Sequence, residues 1–323
     1  MVDNVVEAGA GDTTHEPVPA SARARELLGG AYDTHIHVAP DVVPRIVDDL
    51  TLARRFAALG MAGFILKSHY NPTAERASVV RAAVPGIQAL GAIVLNRAVG
   101  GMNPLAVEIA AREGARAVWL PTVDSVNESH ERDVDPSHPS ERVPVWVKLQ
   151  LELREQGIEI PPVAVVDATG AVLPETRAVL ERVAHHGLLL ATGHLARDEI
   201  FAVVDAALEA GIAEIVITHP EFPAQNLSVA DQSALAARGA LLERCMTTPH
   251  TGKIAWEQWI QNIRDVGPQH CVLSTDLGQV FNPPVEDGMA IMVDRLLAAG
   301  LNDEEVQVMA AANTRRVAGA DPW

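Results

Sequence analysis

Eight short apolar runs recur along the chain from about residue 31 onward, and segments with helix signals separate them. The runs are continuously apolar rather than alternating, which is typical of parallel strands covered on both faces. They lie near residues 31–36, 62–67, 91–96, 115–120, 187–193, 213–218, 240–245 and 270–275. Eight strand–helix repeats in this order predict an α/β fold with a single closed (β/α)8 barrel of the TIM type. An open doubly wound sheet would carry a glycine-rich phosphate turn after its first strand, and residues 35–40 (His-Ile-His-Val-Ala-Pro) are not such a turn.

Helix ends are marked by capping residues between the runs. Asparagine–proline pairs at residues 71–72 and 103–104 predict helix starts with proline in the first turn. Ser228 with Asp231 predicts a capping box for a helix that runs to Ala237. Asn302 with Glu305 predicts a last helix through Val317, outside the eightfold pattern.

Two segments lie outside the predicted barrel of residues 30–323. Residues 1–29 form an N-terminal extension that we expect to be helical from Ser21 to Leu28. An insertion of about residues 122–173 separates strands four and five, and Thr169-Gly170 lies between two strand-like arms near its end, a hairpin pattern. Loops on that side of a barrel lie above its catalytic mouth. We expect a lid or a substrate wall there, with an oligomer contact as the open alternative.

Composition excludes several classes of partner. The formal net charge of −17 argues against nucleic acid, whose phosphates require a basic surface. No apolar stretch approaches the roughly 20 residues that a bilayer requires, and the acidic N-terminus lacks the pattern of a secretory signal. We therefore expect a cytoplasmic protein without membrane contact. Cys245 and Cys271 lie in apolar runs, which predicts buried, reduced thiols.

Histidine and aspartate residues end several of the apolar runs. His35 and His37 end the first run one residue apart, so their side chains leave the same face of a strand. His194, His219 and Asp276 end the fifth, sixth and eighth runs. Because the carboxyl ends of barrel strands meet at one mouth, we expect these side chains to converge. Neutral imidazoles and carboxylates bind divalent metal ions, so the pattern predicts a metal centre.

These residues resemble the amidohydrolase superfamily of metal-dependent hydrolases. The likeness covers most of the chain, from His-Ile-His at residues 35–37 to Ala-Asn-Thr at residues 312–314. It implies that one or two divalent ions, usually zinc with manganese or iron as alternatives, are held by His35, His37, His194, His219 and Asp276. A homo-oligomer that acts on a small-molecule substrate is also expected.

The chain departs from this family at lysine. Many binuclear relatives carry a carboxylated lysine after strand four, whereas here that strand ends at Trp119 and Leu120. Lys67 instead ends the second run, beside the first-strand histidines. It is predicted to be a carboxylated bridging ligand or, alternatively, a substrate-orienting cation or an ion-pair partner. The number of metal ions therefore stays open.

The ligands suggest hydrolysis at a carbonyl carbon. A zinc-type ion lowers the pKa of bound water to about 7 and polarises a carbonyl, and Asp276 would transfer the proton to the leaving group. Candidate substrate contacts lie just past the predicted ligands and strand ends or in the first loop, and they are His69, Tyr70, Asn96, Arg97, Asp41, Arg45, Glu221 and Gln279. The two arginines among them favour a carboxylate on the substrate, because a guanidinium pairs with a carboxylate through two hydrogen bonds.

Three functional classes remain beside the leading one. The leading hypothesis is a hydrolase that opens a cyclic amide, imide or lactone, or cuts a small linear amide or ester. A metal-dependent non-oxidative decarboxylase or related lyase of the same superfamily is the alternative, favoured by a single ion with unmodified Lys67. A phosphoesterase that begins with His-x-His would need more ligand-type residues than the chain shows. A non-catalytic scaffold would keep its role without metal.

Overall fold

A computed structural model describes residues 20–128 and 145–320. Predictions that fall on residues 1–19, 129–144 and 321–323 lie outside the described residues. The described ranges contain eight strands: β1 (Tyr32–Ile36), β2 (Gly63–Leu66), β3 (Gln88–Val94), β4 (Ala115–Trp119), β5 (Leu189–Ala191), β6 (Ile215–Ile217), β7 (Leu241–Cys245) and β8 (Cys271–Ser274). Each matches a predicted run, and β3 begins three residues earlier than its predicted start at residue 91.

The strands form one parallel sheet in the order β1 to β8. The sheet closes between its two ends, where the backbone N–H of Asp276 donates to the carbonyl of His35 at 2.8 Å. The N–H of His37 donates to the carbonyl of Leu277, also at 2.8 Å. The predicted (β/α)8 barrel is therefore confirmed, and its closing seam lies at the predicted metal ligands.

Apolar side chains form two separate cores. A smaller core lies inside the barrel and consists of strand residues such as Ile65, Val94 and Val272. Val317 from the last helix closes its lower end. A larger core lies between the strands and the helices that surround them. Since the inner core fills the barrel below the mouth, polar groups at the strand ends are left at one open end.

The helices follow the strands in alternation. Their bounds are α1 (Ala22–Leu27), α2 (Asp49–Ala58), α3 (Ala74–Ala83), α4 (Pro104–Arg112), α5 (Val145–Glu155), α6 (Pro174–His185), α7 (Arg197–Glu209), α8 (Val229–Ala237), α9 (Thr247–His250), α10 (Trp256–Val266), α11 (Val285–Ala298), α12 (Asp303–Gln307) and α13 (Asn313–Ala318). A π-helical turn, Val308–Ala312, joins the last two. None of the helices in the described ranges is long and apolar enough to cross a membrane.

Most predicted helix starts are confirmed, and one is wrong. Asn103 accepts from the amides of Leu105 and Ala106, and the capping boxes at Ser228 and Asn302 are both present. The start predicted at Asn71 is wrong, because α3 begins at Ala74 after Thr73. The Ser68 hydroxyl instead accepts from the amides of Tyr70 and Asn71, which holds this segment in a turn.

The segment between β4 and β5 packs on the barrel through its described parts. Ser125 forms a parallel bridge with Val163, and an antiparallel bridge joins Val166 to Val172 around the turn at Thr169-Gly170. From α5, the Gln150 amide donates to the Val123 carbonyl at 3.1 Å. Both cysteines are buried and free, as predicted.

Candidate metal centre

The barrel seam brings three predicted ligands together. His35 Nε2 lies 3.1 Å and His37 Nε2 lies 3.2 Å from the same oxygen, Oδ1 of Asp276. Both imidazoles are buried, and the three ligand atoms lie within 4.8 Å of one another. These short distances follow from the fold, because His35 and Asp276 are joined by a backbone hydrogen bond across the seam.

The other two predicted histidines lie beside this group. The rings of His194 and His219 are 4.9 Å apart between centroids, and the ring of His219 is 6.2 Å from that of His35. Both side chains are buried at the ends of β5 and β6. The structure therefore brings together all five histidine and aspartate residues that the sequence placed at strand ends.

Two of these residues have a strained backbone. His219 and Asp276 have φ angles of +25° and +52°, in a region that residues other than glycine seldom occupy. Such conformations cost about 1–3 kcal/mol each and concentrate at functional sites. The surrounding structure therefore holds both residues in conformations that the chain alone does not favour.

Buried carboxylates orient the histidines from behind. Glu243, in the middle of β7, has Oε1 3.1 Å from His35 Nδ1, and it accepts from the Ser274 hydroxyl and the His219 amide. Glu128 Oε1 lies 2.6 Å from His194 Nδ1. A ligating histidine commonly directs its other nitrogen at such a carboxylate.

The sequence pattern assigned no role to either carboxylate. Glu243 and Arg244 interrupt an apolar strand, which is a signal that could have indicated Glu243. Glu128 lies in a polar segment and gives no such signal.

Lys67 lies inside the same cluster. Its Nζ is 2.8 Å from His35 Nε2 and 5.4 Å from the centre of the Trp119 ring, which occupies the end of β4. Burial lowers the pKa of Lys67 from its ordinary value. A neutral amine is the form that reacts with carbon dioxide, so the environment suits either a carbamate or an uncharged lysine.

Protonation states are suited to metal binding at three histidines. Burial lowers the pKa of His37 and His194 well below 6.5, and it lowers the pKa of His219 to about 3. Burial also acts to lower the pKa of His35, as does Lys67, but Asp276 and Glu243 together raise it to about 9. His35 is therefore the predicted ligand from which a metal ion would have to displace a proton.

The donor set fits a divalent transition-metal ion. Imidazole nitrogens and a carboxylate oxygen are the ligands that zinc takes in proteins, and manganese and iron accept them as well. His219 Nδ1 is buried and has no hydrogen-bond partner among the described residues, which leaves it in need of a partner. Cys245 Sγ lies 3.8 Å from His35 Nδ1 in a second, deeper group with Glu243.

Several predicted substrate contacts lie around the cluster. His69 stacks on His37 with ring centroids 4.8 Å apart, and Tyr70 packs edge-on against His69. Arg45 Nη2 lies 3.5 Å from His37 Nδ1 and pairs with Asp41. The side-chain amide of Gln279 donates to the Asp276 carbonyl.

Three other predicted substrate contacts form hydrogen bonds or an ion pair within the protein. The Asn96 side chain is buried and bonds to the backbone of Thr122 and His69. Arg97 donates to the carbonyls of Pro161 and Pro162, and Glu221 pairs with the buried Arg244 in the barrel wall. Both charged groups thus have partners within the protein, and a substrate contact of Arg97 or Glu221 stays a prediction.

Solved structures of amidohydrolases and of a probable dipeptidase share the fold of this chain. An amidohydrolase from Pseudomonas aeruginosa superposes with a TM-score of 0.59 at 12% identity, over 91% of this chain and 98% of that one. The probable dipeptidase PvdM from the same organism gives 0.58 at 13% identity, over 92% and 97%. An amidohydrolase from Burkholderia multivorans with bound zinc gives 0.51 at 11% identity, over 90% and 99%. These likenesses confirm, at the level of the fold, the resemblance seen in the sequence.

Sequence comparison identifies the family of the chain. The profile of a family of unknown function, DUF6282, matches residues 30–243, well over half of the chain. The chain belongs to this family. A comparison with curated protein sequences gives no match.

Proposed function

We propose that this protein is a metal-dependent hydrolase that acts on the carbonyl centre of a small molecule. The observation that carries the proposal is the convergence of His35 Nε2 and His37 Nε2 on Asp276 Oδ1, at 3.1 and 3.2 Å. Its substrate class is a cyclic amide, imide or lactone, or a small linear amide or ester. The superfamily fold supports this reaction type, since structural neighbours include amidohydrolases and a probable dipeptidase.

The proposed ligands are His35, His37, His194, His219 and Asp276, with Lys67 beside His35. A divalent ion held there would lower the pKa of water and polarise a carbonyl oxygen. Asp276 is the residue that would accept the proton from that water and deliver it to the leaving group. Its other oxygen, Oδ2, accepts from the Thr247 hydroxyl at 2.9 Å, which fixes the orientation of the carboxylate.

Lys67 decides how many ions the site holds. Addition of its neutral amine to carbon dioxide forms a carbamate and releases one proton. The carbamate would provide a bridge between two ions. An unmodified Lys67 would instead act as a donor toward the substrate beside a single ion. The lowered pKa of Lys67 and its distance of 2.8 Å from His35 Nε2 support a role at the reacting centre in both cases.

Residues at the rim support a polar, carbonyl-containing substrate. The Tyr70 hydroxyl is buried and has no hydrogen-bond partner among the described residues, so a bound molecule would provide one. Arg45 lies beside His37 and would receive a carboxylate, although Asp41 already offsets part of its charge. We therefore propose Arg45 as the contact for a carboxylate on the substrate, since Arg97 donates to the carbonyls of Pro161 and Pro162.

Metal content and turnover test the proposal together. We expect the purified protein to contain at least one transition-metal ion per chain, and His35→Ala and Asp276→Asn to lose it. His186→Ala is the matched control, since His186 is partly buried beside Glu108 and is not among the proposed ligands. A panel of lactones, cyclic amides and aromatic carboxylates then reports the reaction. Equal metal content in all variants would contradict the site, and release of carbon dioxide from a carboxylate would assign a decarboxylase instead.

A further inference from the structure

The hydrogen bonds of Asn96 fix the orientation of a buried amide behind the metal cluster. Asn96 Oδ1 accepts from the backbone N–H of Thr122 at 2.8 Å and from that of Asp124 at 3.3 Å. A backbone N–H can only donate, so the amide oxygen must lie on this side. The NH2 group of Asn96 therefore lies on the other side, and the assignment of oxygen and nitrogen follows from the network.

The Asn96 amide in turn directs the hydroxyl of Thr122. Asn96 Nδ2 donates to the His69 carbonyl at 3.0 Å and to Thr122 Oγ1 at 2.8 Å. Within the described ranges, the one other hydrogen-bond contact of that hydroxyl is His69 Nδ1, also at 2.8 Å. Asn96 Nδ2 can only donate, so among the described residues His69 Nδ1 is the one hydrogen-bond partner that can accept the buried hydrogen of this hydroxyl. Nδ1 of His69 then accepts, and in a neutral ring the hydrogen lies on Nε2.

His35 and His194 have the opposite arrangement. Their Nδ1 atoms lie 3.1 Å and 2.6 Å from the carboxylates of Glu243 and Glu128. An ionised carboxylate can only accept, so these Nδ1 atoms carry hydrogen and the Nε2 atoms are the ones left for a metal ion. The surrounding network therefore gives His69 the opposite tautomer to that of His35 and His194.

We infer that His69 is not a metal ligand, and that its Nε2–H donates a hydrogen bond to the oxygen of the substrate carbonyl. Its ring stacks on His37 at 4.8 Å with an interplanar angle of 24°, and it is 6.2 Å from the ring of His194. A fixed donor beside the ligands would stabilise negative charge that develops on that oxygen. The substrate role rests on the proposed function, whereas the tautomer rests on the Asn96–Thr122 network alone.

Nitrogen NMR of the imidazole rings tests the tautomer without any substrate. We expect the His69 signals, identified by their absence in His69→Gln, to show an unprotonated Nδ1 and a protonated Nε2. Thr122→Val removes the hydroxyl donor and is expected to change this pattern, and Thr122→Ser is expected to keep it. A protonated Nδ1 in the folded wild-type protein would overturn the inference.

Metal analysis separates this inference from the proposed function. We expect His69→Ala to retain the metal content of the wild-type protein while His35→Ala loses it. On a substrate of the panel, His69→Ala should lower kcat by about 100-fold or more, the usual effect of losing one oxyanion donor. Loss of one ion per chain in His69→Ala would make His69 a ligand and leave the hydrolase proposal intact. Absence of metal from the wild-type protein would remove the hydrolase proposal and the substrate role, while the tautomer would still be measurable.

Discussion

Replacement of Glu243 by glutamine tests how the barrel prepares His35 for metal binding. Glu243 is buried inside β7, where its two oxygens contact His35 Nδ1, the Ser274 hydroxyl and the His219 amide. Glutamine has nearly the same shape but has one oxygen and one NH2 group. Whichever way the new amide turns, its NH2 group faces a donor that the carboxylate previously accepted from.

The expected loss is one to two orders of magnitude in metal affinity. Removal of a carboxylate that orients a ligating histidine typically weakens metal binding by about 10- to 100-fold. This corresponds to about 1.4–2.7 kcal/mol of binding free energy. Metal affinity falls because the Nδ1 hydrogen of His35 is no longer held by a negative charge. Nε2 of His35 is then less basic and binds the metal ion less tightly.

Competition with a chromophoric chelator measures the zinc affinity of Glu243→Gln and of the wild-type protein. Glu257→Gln is the matched control, since Glu257 is exposed in the first turn of α10. Circular dichroism checks that both variants are folded. Zinc affinity within twofold of wild type in folded Glu243→Gln would refute the argument that Glu243 prepares His35.

Three further perturbations test other parts of the structure. Because Asp276 and Glu243 raise the pKa of His35 to about 9, a metal ion must displace its proton, and apparent affinity should rise by up to about tenfold per pH unit as pH approaches 9. Gly193→Ala should destabilise the protein by at least about 2 kcal/mol, since its φ is +63° and a Cβ would lie 2.4 Å from the Leu120 carbonyl oxygen. Glu221→Ala should cost about 3–5 kcal/mol, because it leaves the buried Arg244 unpaired.

Each of these expectations has its own control or contrary result. Zinc affinity that stays constant from pH 6 to about 9 would contradict the proton competition at His35. Gly211→Ala is the control for Gly193, because its φ is also positive but nothing lies within 4 Å of the new Cβ. Urea unfolding should separate the two variants. A loss below about 1 kcal/mol for Glu221→Ala would show that Arg244 finds another partner.

Features that depend on residues close together in the sequence could be predicted. The strands were found because continuous apolar runs reflect burial on both faces, and the five converging residues because each directly follows such a run. The helix start at Asn71 was predicted wrongly because the Asn-Pro pair favours a turn as well as a cap. The Ser68 hydroxyl stabilises the turn, a contact that the pair alone does not specify.

Features that depend on distant partners could not be predicted. Glu128 and His194 are 66 residues apart, and Glu243 and His35 are 208 residues apart, so no local pattern connects them. Arg97 and Glu221 were predicted to contact a substrate because they follow strand ends. Their partners, the carbonyls of Pro161 and Pro162 and the Arg244 guanidinium, become neighbours only in the folded chain.

A crystal structure of the protein purified with its metal, with anomalous diffraction to locate the ion, tests the central claim most directly. The account predicts an anomalous peak about 2.0–2.2 Å from His35 Nε2, His37 Nε2 and an oxygen of Asp276. An ion bound only by other residues, or a zinc-saturated crystal with no peak at the seam between β1 and β8, would contradict it.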